Sequence, residues 1–139
     1  MTMPLHAPVT ILVIDDERSI ASGLARLLRR DGHTVTTADN GHRALALLQE
    51  RYYDVVLCDL HMPALDGPTF YAILTSQYPS LRLRVIFFTG DTLRAESLTF
   101  LEQCGQPWLP KPCTIAAIRN AIAHVLRVAP PLTLPSQAS

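Results

Sequence analysis

Short apolar segments rich in β-branched residues alternate with helical patterns five times along this chain, and no other feature limits its fold as strongly. The strand-like segments lie at 9–14, 33–37, 54–59, 83–89 and 108–109. The longer ones lack polar–apolar alternation, which indicates strands covered on both faces by helices. Five such β–α units predict an α/β domain with a doubly wound, five-stranded parallel sheet and helices on both faces.

The last strand differs from the others because it is short and is bordered by Pro107 and Pro110. Proline cannot donate to a strand ladder and is tolerated in edge strands, so this strand is predicted at a margin of the sheet. The helix after it has one clean apolar stripe through Ile118, Ile122 and Val125. The fourth helix, predicted over 92–103 and ended by Gly105, is only weakly amphipathic.

A single domain over 9–128 accounts for most of the 139 residues, with tails at 1–8 and 129–139. The second tail is proline-rich and resembles a linker in composition. The hydrophobic fraction is 48% and the charged fraction 17%, which is typical of a globular chain. No internal repeat is evident.

Charge and cysteine content exclude several classes of function. Lys plus Arg and Asp plus Glu each number 12, so the basic surplus expected of a protein that binds nucleic acid or an anionic membrane is absent. No signal peptide and no apolar run of ~18 residues is evident. The three cysteines are odd in number and have no close spacing, which argues against a disulfide framework and favours a reducing compartment. A cytoplasmic protein is expected. Cys58 and His61 have no second pair to complete a zinc site, which favours a buried Cys58.

Residues whose side chains or backbone could take part in ligand binding or catalysis follow four of the five strands. In open parallel sheets ligands bind outside the carboxyl ends of the strands, so these residues are expected at one edge. Each alone has an ordinary explanation as a helix cap, turn residue or surface lysine, but together they suit a metal ion and a phosphoryl group. In chain order they are Asp15 and Asp16, Asp59, Thr89 and Gly90, and Lys111 and Pro112.

These residues, with Met62-Pro63 and Gly67, resemble the receiver domain of two-component response regulators over roughly 10–127. The resemblance implies the flavodoxin-like strand order 2-1-3-4-5, which agrees with the edge position argued from the prolines. Strands one and three are then neighbours about 4.8 Å apart. Three carboxylates so close repel one another unless a cation intervenes, and Mg²⁺ prefers oxygen ligands.

The resemblance also implies roles in a phosphorelay. Asp59 would accept a phosphoryl group from a phosphohistidine. Mg²⁺, or Mn²⁺ in its place, would be bound by Asp16, Asp59 and the backbone carbonyl of His61, with Asp15 acting largely through water. Thr89, with room left by Gly90, and Lys111 would bind the phosphoryl oxygens, and the Lys111–Pro112 peptide bond would be cis.

Three further residues are candidates for regulation. Trp108 stands where receivers carry a switch aromatic; the alternative is that it only anchors the fifth strand. His61 and Asp91 flank the site and would tune the phosphoryl lifetime, or would be solvated rim residues only. The output face would be formed by the fourth helix, fifth strand and fifth helix, and Cys113 replaces the more usual Phe beside it.

Two other functions fit the residues less well. A haloacid-dehalogenase-like phosphatase needs Asp-x-Asp after strand one, whereas Asp15 and Asp16 are adjacent. A pseudo-receiver usually lacks an acidic residue, the threonine or the lysine, and this chain lacks none. The expected function is a signalling switch rather than an enzyme, with a histidine kinase or histidine phosphotransfer protein as donor and a protein target or effector domain as partner. It would bind neither nucleic acid nor membrane. A phosphorylation-dependent dimer, a stand-alone regulator and the receiver of a hybrid histidine kinase all remain open.

Overall fold

The computed structural model describes residues 7–90 and 94–131, which form one five-stranded parallel sheet with helices on both faces. The strand order is β2-β1-β3-β4-β5, as the resemblance implied. The strands are β1 (Thr10–Ile14), β2 (Thr34–Ala38), β3 (Val55–Asp59), β4 (Val85–Thr89) and β5 (Trp108–Pro110).

Five α-helices connect and cover these strands, and a short 3-10 turn at Pro79–Leu81 precedes β4. The predicted doubly wound α/β class is therefore confirmed. None of the helices described is both long and apolar enough to cross a lipid bilayer. The helices are α1 (Arg18–Arg30), α2 (Gly41–Glu50), α3 (Gly67–Gln77), α4 (Ala95–Cys104) and α5 (Ile115–Val128).

The sheet separates two apolar clusters, which explains why its central strands are apolar on both faces. Every residue of β3 and β4 is buried. One cluster packs α2, α3 and α4 against the sheet, with Tyr71, Phe87 and Phe100 in edge-to-face contact. The other packs α1 and α5 against the opposite face. Because helices cover both faces of the sheet, ligands are expected to bind at the ends of its strands.

Several helices begin or end at residues that are typical helix caps. Asn40, Asp66 and Thr114 each accept a hydrogen bond from a backbone N–H of the first turn of α2, α3 and α5, which are N-caps of the preferred residue types. Gly105 ends α4 with a φ of 69°, a left-handed conformation that favours glycine.

The predicted strand limits were correct to within about two residues, whereas the fourth helix begins at Ala95 rather than at residue 92. β4 begins at Val85 rather than at residue 83, because the 3-10 turn and the residues after it take up the start of that apolar run. β5 has only three residues, pairs with β4 alone and lies at the edge, as the two prolines predicted. The predicted first residues of the fourth helix, at 92–93, lie outside the described residues.

Candidate functional site

Three carboxylates meet at the carboxyl end of the sheet. Asp15 and Asp16 directly follow β1, and Asp59 is the last residue of the neighbouring β3. One oxygen from each lies within 4.8 Å of the others. Asp15 and Asp59 are only 5% and 6% exposed, whereas Asp16 is exposed. The structure therefore brings together the three acidic residues that the sequence nominated.

Hydrogen bonds from the backbone orient the two buried carboxylates. The N–H of Glu17 donates to Oδ1 of Asp15 at 2.9 Å, and the N–H of His61 donates to Oδ1 of Asp59 at 3.3 Å. These two hydrogen bonds fix the orientation of both carboxylates at this end of the sheet.

Lys111 reaches this group from the far edge of the sheet. Its Nζ lies 2.8 Å from Oδ2 of Asp15 and 3.3 Å from Oδ2 of Asp59. Its backbone N–H donates to the carbonyl of Thr89 at 2.9 Å, and the Lys111–Pro112 peptide bond is cis, the geometry that the resemblance implied. Lys111 is thus in direct contact with both buried carboxylates.

Burial and charge act in opposite directions on these groups. Burial raises the pKa of Asp59 above its usual range, and the nearby Asp15 adds to the rise, while the ammonium of Lys111 opposes it. Burial alone would lower the pKa of Lys111, but its hydrogen bond to Asp15 and the charges of both aspartates outweigh that effect and raise it. A single ammonium leaves three clustered carboxylates incompletely neutralised.

This donor set fits Mg²⁺. Three ionised carboxylates and one ammonium leave two net negative charges, and the available donors are oxygen atoms. Mg²⁺ binds through one or two carboxylates, keeps several waters and uses phosphate oxygens to complete its octahedron. Asp16 remains exposed and open to a ligand, and a hard divalent cation would supply the missing positive charge.

Thr89 and Gly90 follow the strand next to Asp59. Asp59 is paired with Phe88 in the β3–β4 register, so Thr89 lies one residue beyond it at the same end of the sheet, fully buried. A side-chain carbon added at Gly90 would have no atom within 4 Å among the described residues, so the space beside Gly90 is open. The role of Gly90 in leaving room beside Thr89 stays a prediction.

Trp108 lies across β4 from the acidic group and is less buried than its neighbours. It is paired with Phe87 in the β4–β5 register, and the residue is 37% exposed. The ring is therefore not enclosed in the core. Neither a switch role nor a purely anchoring role follows from this position alone, and the switch role stays a prediction.

Gly67 shows why the loop after Asp59 carries a glycine. A side-chain carbon at that position would come within 2.8 Å of the backbone of Leu60, and the N–H of Gly67 donates to the Leu60 carbonyl at 2.9 Å. The loop from β3 to α3 therefore folds back tightly onto the residue after the phosphoacceptor candidate. This contact gives the glycine of that signature a physical reason.

His61 has a partner that the sequence did not identify. Its Nε2 lies 3.3 Å from Oγ of Ser97, a residue of α4 that is only 5% exposed. The weak amphipathicity of α4 was the available signal, since a serine occupies a buried position in it. Asp91, the other predicted rim residue, lies outside the described residues.

Cys58 is fully buried in β3, as predicted. Burial raises the pKa of its thiol well above the usual value, and the charges of Asp59 and Asp15 add to the rise. A protonated, inaccessible thiol is a poor zinc ligand, since metals bind the thiolate. The clustered metal-binding side chains at this end are all carboxylates.

Comparison with known proteins places the chain in a family. The family model described as "Response regulator receiver domain" matches residues 11–123. The chain therefore belongs to the receiver domains of two-component response regulators.

Two of its relatives are much longer proteins, and the chain matches only a part of each. It is 34% identical over 118 residues to the DNA-binding transcriptional regulator NtrC of Salmonella typhimurium, with 82% of this chain and 25% of that protein covered. It is 29% identical to the sensor kinase CckA of Brucella abortus, with 88% and 13% covered. The chain thus spans a quarter or less of these two relatives.

A solved structure supports the same family. The solution structure of the beryllofluoride-activated NtrC4 receiver domain dimer aligns with a TM-score of 0.77 and 27% sequence identity. The alignment covers 87% of this chain and 98% of that one.

Proposed function

We propose that this receiver domain is a phosphoacceptor switch that takes a phosphoryl group onto Asp59 with the help of Mg²⁺. The observation that carries the proposal is the contact of Lys111 with Asp59 and Asp15, beside the exposed Asp16. A nucleophilic carboxylate, a fixed cation and a set of metal ligands thus share one edge of the sheet. The donor is a phosphohistidine on a histidine kinase or a histidine phosphotransfer protein.

In the reaction, a carboxylate oxygen of Asp59 attacks phosphorus in line with the bond to the donor imidazole. The new O–P bond forms as the P–N bond breaks, and the electron pair leaves with the imidazole nitrogen. The ammonium of Lys111, 3.3 Å from Oδ2 of Asp59, neutralises charge that develops on the phosphoryl oxygens. The Thr89 hydroxyl, at the end of the adjacent strand, donates to one of these oxygens.

Asp16, Asp59 and the backbone carbonyl of His61 are the proposed direct ligands of Mg²⁺, for which Mn²⁺ can substitute. Bound there, the ion would neutralise the carboxylates and the phosphoryl oxygens together. Both oxygens of Asp15 are already engaged, Oδ1 by the N–H of Glu17 and Oδ2 by Lys111. This supports a role for Asp15 through a bridging water rather than as a direct ligand.

The output of the switch is proposed to lie on the face formed by α4, β5 and α5. Trp108 belongs to β5 and its ring is partly exposed, which leaves it free to change position when the site is occupied. The partner is a protein target or effector domain. Dimerisation on phosphorylation is supported by the likeness to a receiver domain whose activated form is a dimer.

The chain acts as a signalling switch whose own phosphorylation and dephosphorylation are its only reactions. A dehalogenase-like phosphatase is disfavoured because Asp15 and Asp16 are adjacent and Asp15 is engaged by Lys111. A pseudo-receiver is disfavoured because the acidic residues, Thr89 and Lys111 all lie at one end of the sheet.

The test is Mg²⁺-dependent labelling by acetyl phosphate, followed as the mass increase of one phosphoryl group. Wild type is expected to label with Mg²⁺ and not with EDTA. Asp59→Asn is expected to abolish labelling, because the amide is no nucleophile. Asp66→Asn is the matched control, since Asp66 lies in the same loop but caps α3 through the N–H of Thr69. Persistent label in Asp59→Asn would refute the assignment.

A further inference from the structure

Ser97 occupies an unusual position for a polar side chain. It lies in the first turn of α4, is 5% exposed, and shares the buried face of that helix with Leu101 one turn later. An apolar residue would be expected there. The Oγ of Ser97 lies instead 3.3 Å from Nε2 of His61. A buried hydroxyl is stable when it is hydrogen-bonded, and a serine can donate to or accept from either tautomer of the ring.

The contact joins two segments that flank the phosphoacceptor. His61 is two residues beyond Asp59 and donates its backbone N–H to Oδ1 of Asp59. Ser97 belongs to the helix that follows β4, whose last residue is Thr89. Because β3 and β4 are adjacent, the His61 side chain bridges from the end of one strand to the helix after the next. The side chain of His61 therefore spans from the backbone that contacts Asp59 to the first turn of α4.

We infer that Ser97 is a positioning residue that holds the His61 ring against α4, where the ring restricts access of water to the phosphorylated Asp59. This inference rests on the proposed function. Hydrolysis requires a water oxygen to bond to phosphorus while the O–P bond to Asp59 breaks, leaving its electron pair on the carboxylate and a proton in solvent. A ring fixed at the edge of the site narrows the approach of that water, and a freely rotating ring does not.

The experiment measures how long the label lasts, separately from whether it forms. Wild type and Ser97→Ala are labelled with acetyl phosphate and Mg²⁺, the donor is removed, and loss of label is followed by mass. Ser97→Ala is expected to label normally and to lose its phosphoryl group about three- to tenfold faster, the range expected for loss of one hydrogen bond. Thr99→Ala, an exposed hydroxyl of the same helix, is the matched control and is expected to match wild type.

A double variant separates positioning from a general loosening of α4. If Ser97 acts through the ring, His61→Ala and the His61→Ala/Ser97→Ala pair are expected to lose label at the same rate. Ser97→Cys keeps the volume with a weaker hydrogen-bond donor and serves if the alanine variant does not fold; it is expected to lose label faster than wild type.

Three outcomes would overturn the inference or its basis. A label lifetime in the folded Ser97 variants within twofold of wild type would refute the inference and leave the proposed function intact. An effect of Ser97→Ala that persists in full without His61 would show a structural role and refute it as well. Absence of label in wild type would refute the proposed function, and the inference with it.

Discussion

The two ends of the sheet use charged side chains in opposite ways. At the carboxyl end, Asp15 and Asp59 share one ammonium, Lys111, and the group keeps an excess of negative charge. At the amino end, Asp54 and Arg84 bond to backbone atoms: Oδ2 of Asp54 accepts from the N–H of Thr10 at 2.8 Å. Charges bonded to backbone atoms stabilise the fold, whereas charges bonded to one another can exchange partners with a ligand.

Arg84 illustrates the structural use of charge. It immediately precedes β4, is 5% exposed, and donates to the carbonyls of Asp54 at 3.1 Å and Pro130 at 2.6 Å. These bonds join the starts of β3 and β4 to the segment after α5. A buried guanidinium so used is costly to remove, because the carbonyls it satisfies lose their donors.

The largest expected effect comes from removing the ammonium of Lys111 at the carboxyl end of the sheet. Lys111→Met is expected to slow labelling by acetyl phosphate about 100- to 1000-fold, the usual cost of losing one charge-stabilising group. Stability in Mg²⁺ is expected to change little, since the ion can neutralise the carboxylates. Labelling rates and urea unfolding measure the two effects. An unchanged labelling rate would mean that this ion pair is structural, like the contacts of the amino end.

The second prediction concerns the amino end of the sheet, where a substitution is expected to change stability and leave labelling unchanged. Arg84→Met is expected to lower the free energy of unfolding by about 2–4 kcal/mol, because two carbonyls lose a buried donor. The labelling rate of the folded fraction is expected to stay at the wild-type value. Arg82→Met, at an exposed arginine two residues earlier, is the control and is expected to change stability by less than about 0.5 kcal/mol. Slower labelling in folded Arg84→Met would show that the two ends are coupled.

The smallest expected effect is the pH dependence of stability in the absence of metal ions. Because burial raises the pKa of Asp59 in the folded state, the folded protein binds more protons than the unfolded chain. Stability is therefore expected to fall as pH rises from the usual aspartate pKa through the raised folded value. Asp59→Asn removes this fall and is expected to be more stable than wild type at pH 7 in EDTA, by at most about 1 kcal/mol.

Urea unfolding in EDTA between pH 4 and 7 measures the difference, and added Mg²⁺ is expected to reduce it. A wild-type protein that gains stability relative to Asp59→Asn over this range would contradict the expected sign.

The elements and the acidic edge were predictable because they depend on local sequence. Apolar runs without alternation marked buried strands, and the residues that follow four of the five runs marked the edge at which Asp59, Thr89 and Lys111 lie. The prolines beside Trp108 placed β5 at the margin. Each of these inferences needs only the residues of one segment and the rule that parallel strands end together.

The contacts between distant segments were not predictable. Ser97 and His61 are 36 positions apart, and only the packing of α4 beside the loop after β3 brings them together. Arg84 seemed to belong to an apolar strand, but a 3-10 turn shifts the start of β4 past it. The direct bond of Lys111 to Asp15 likewise depends on side-chain reach across two intervening strands.

That last bond has a mechanical consequence. Lys111 follows the outermost strand and Asp15 a strand near the middle of the sheet, 96 positions earlier, so their contact ties the margin of the sheet to its centre. A phosphoryl group on Asp59 would compete with Asp15 for the same ammonium. We therefore expect phosphorylation of Asp59 to weaken or redirect the contact between Lys111 and Asp15. The same reaction would then change how β5 is held to the centre of the sheet.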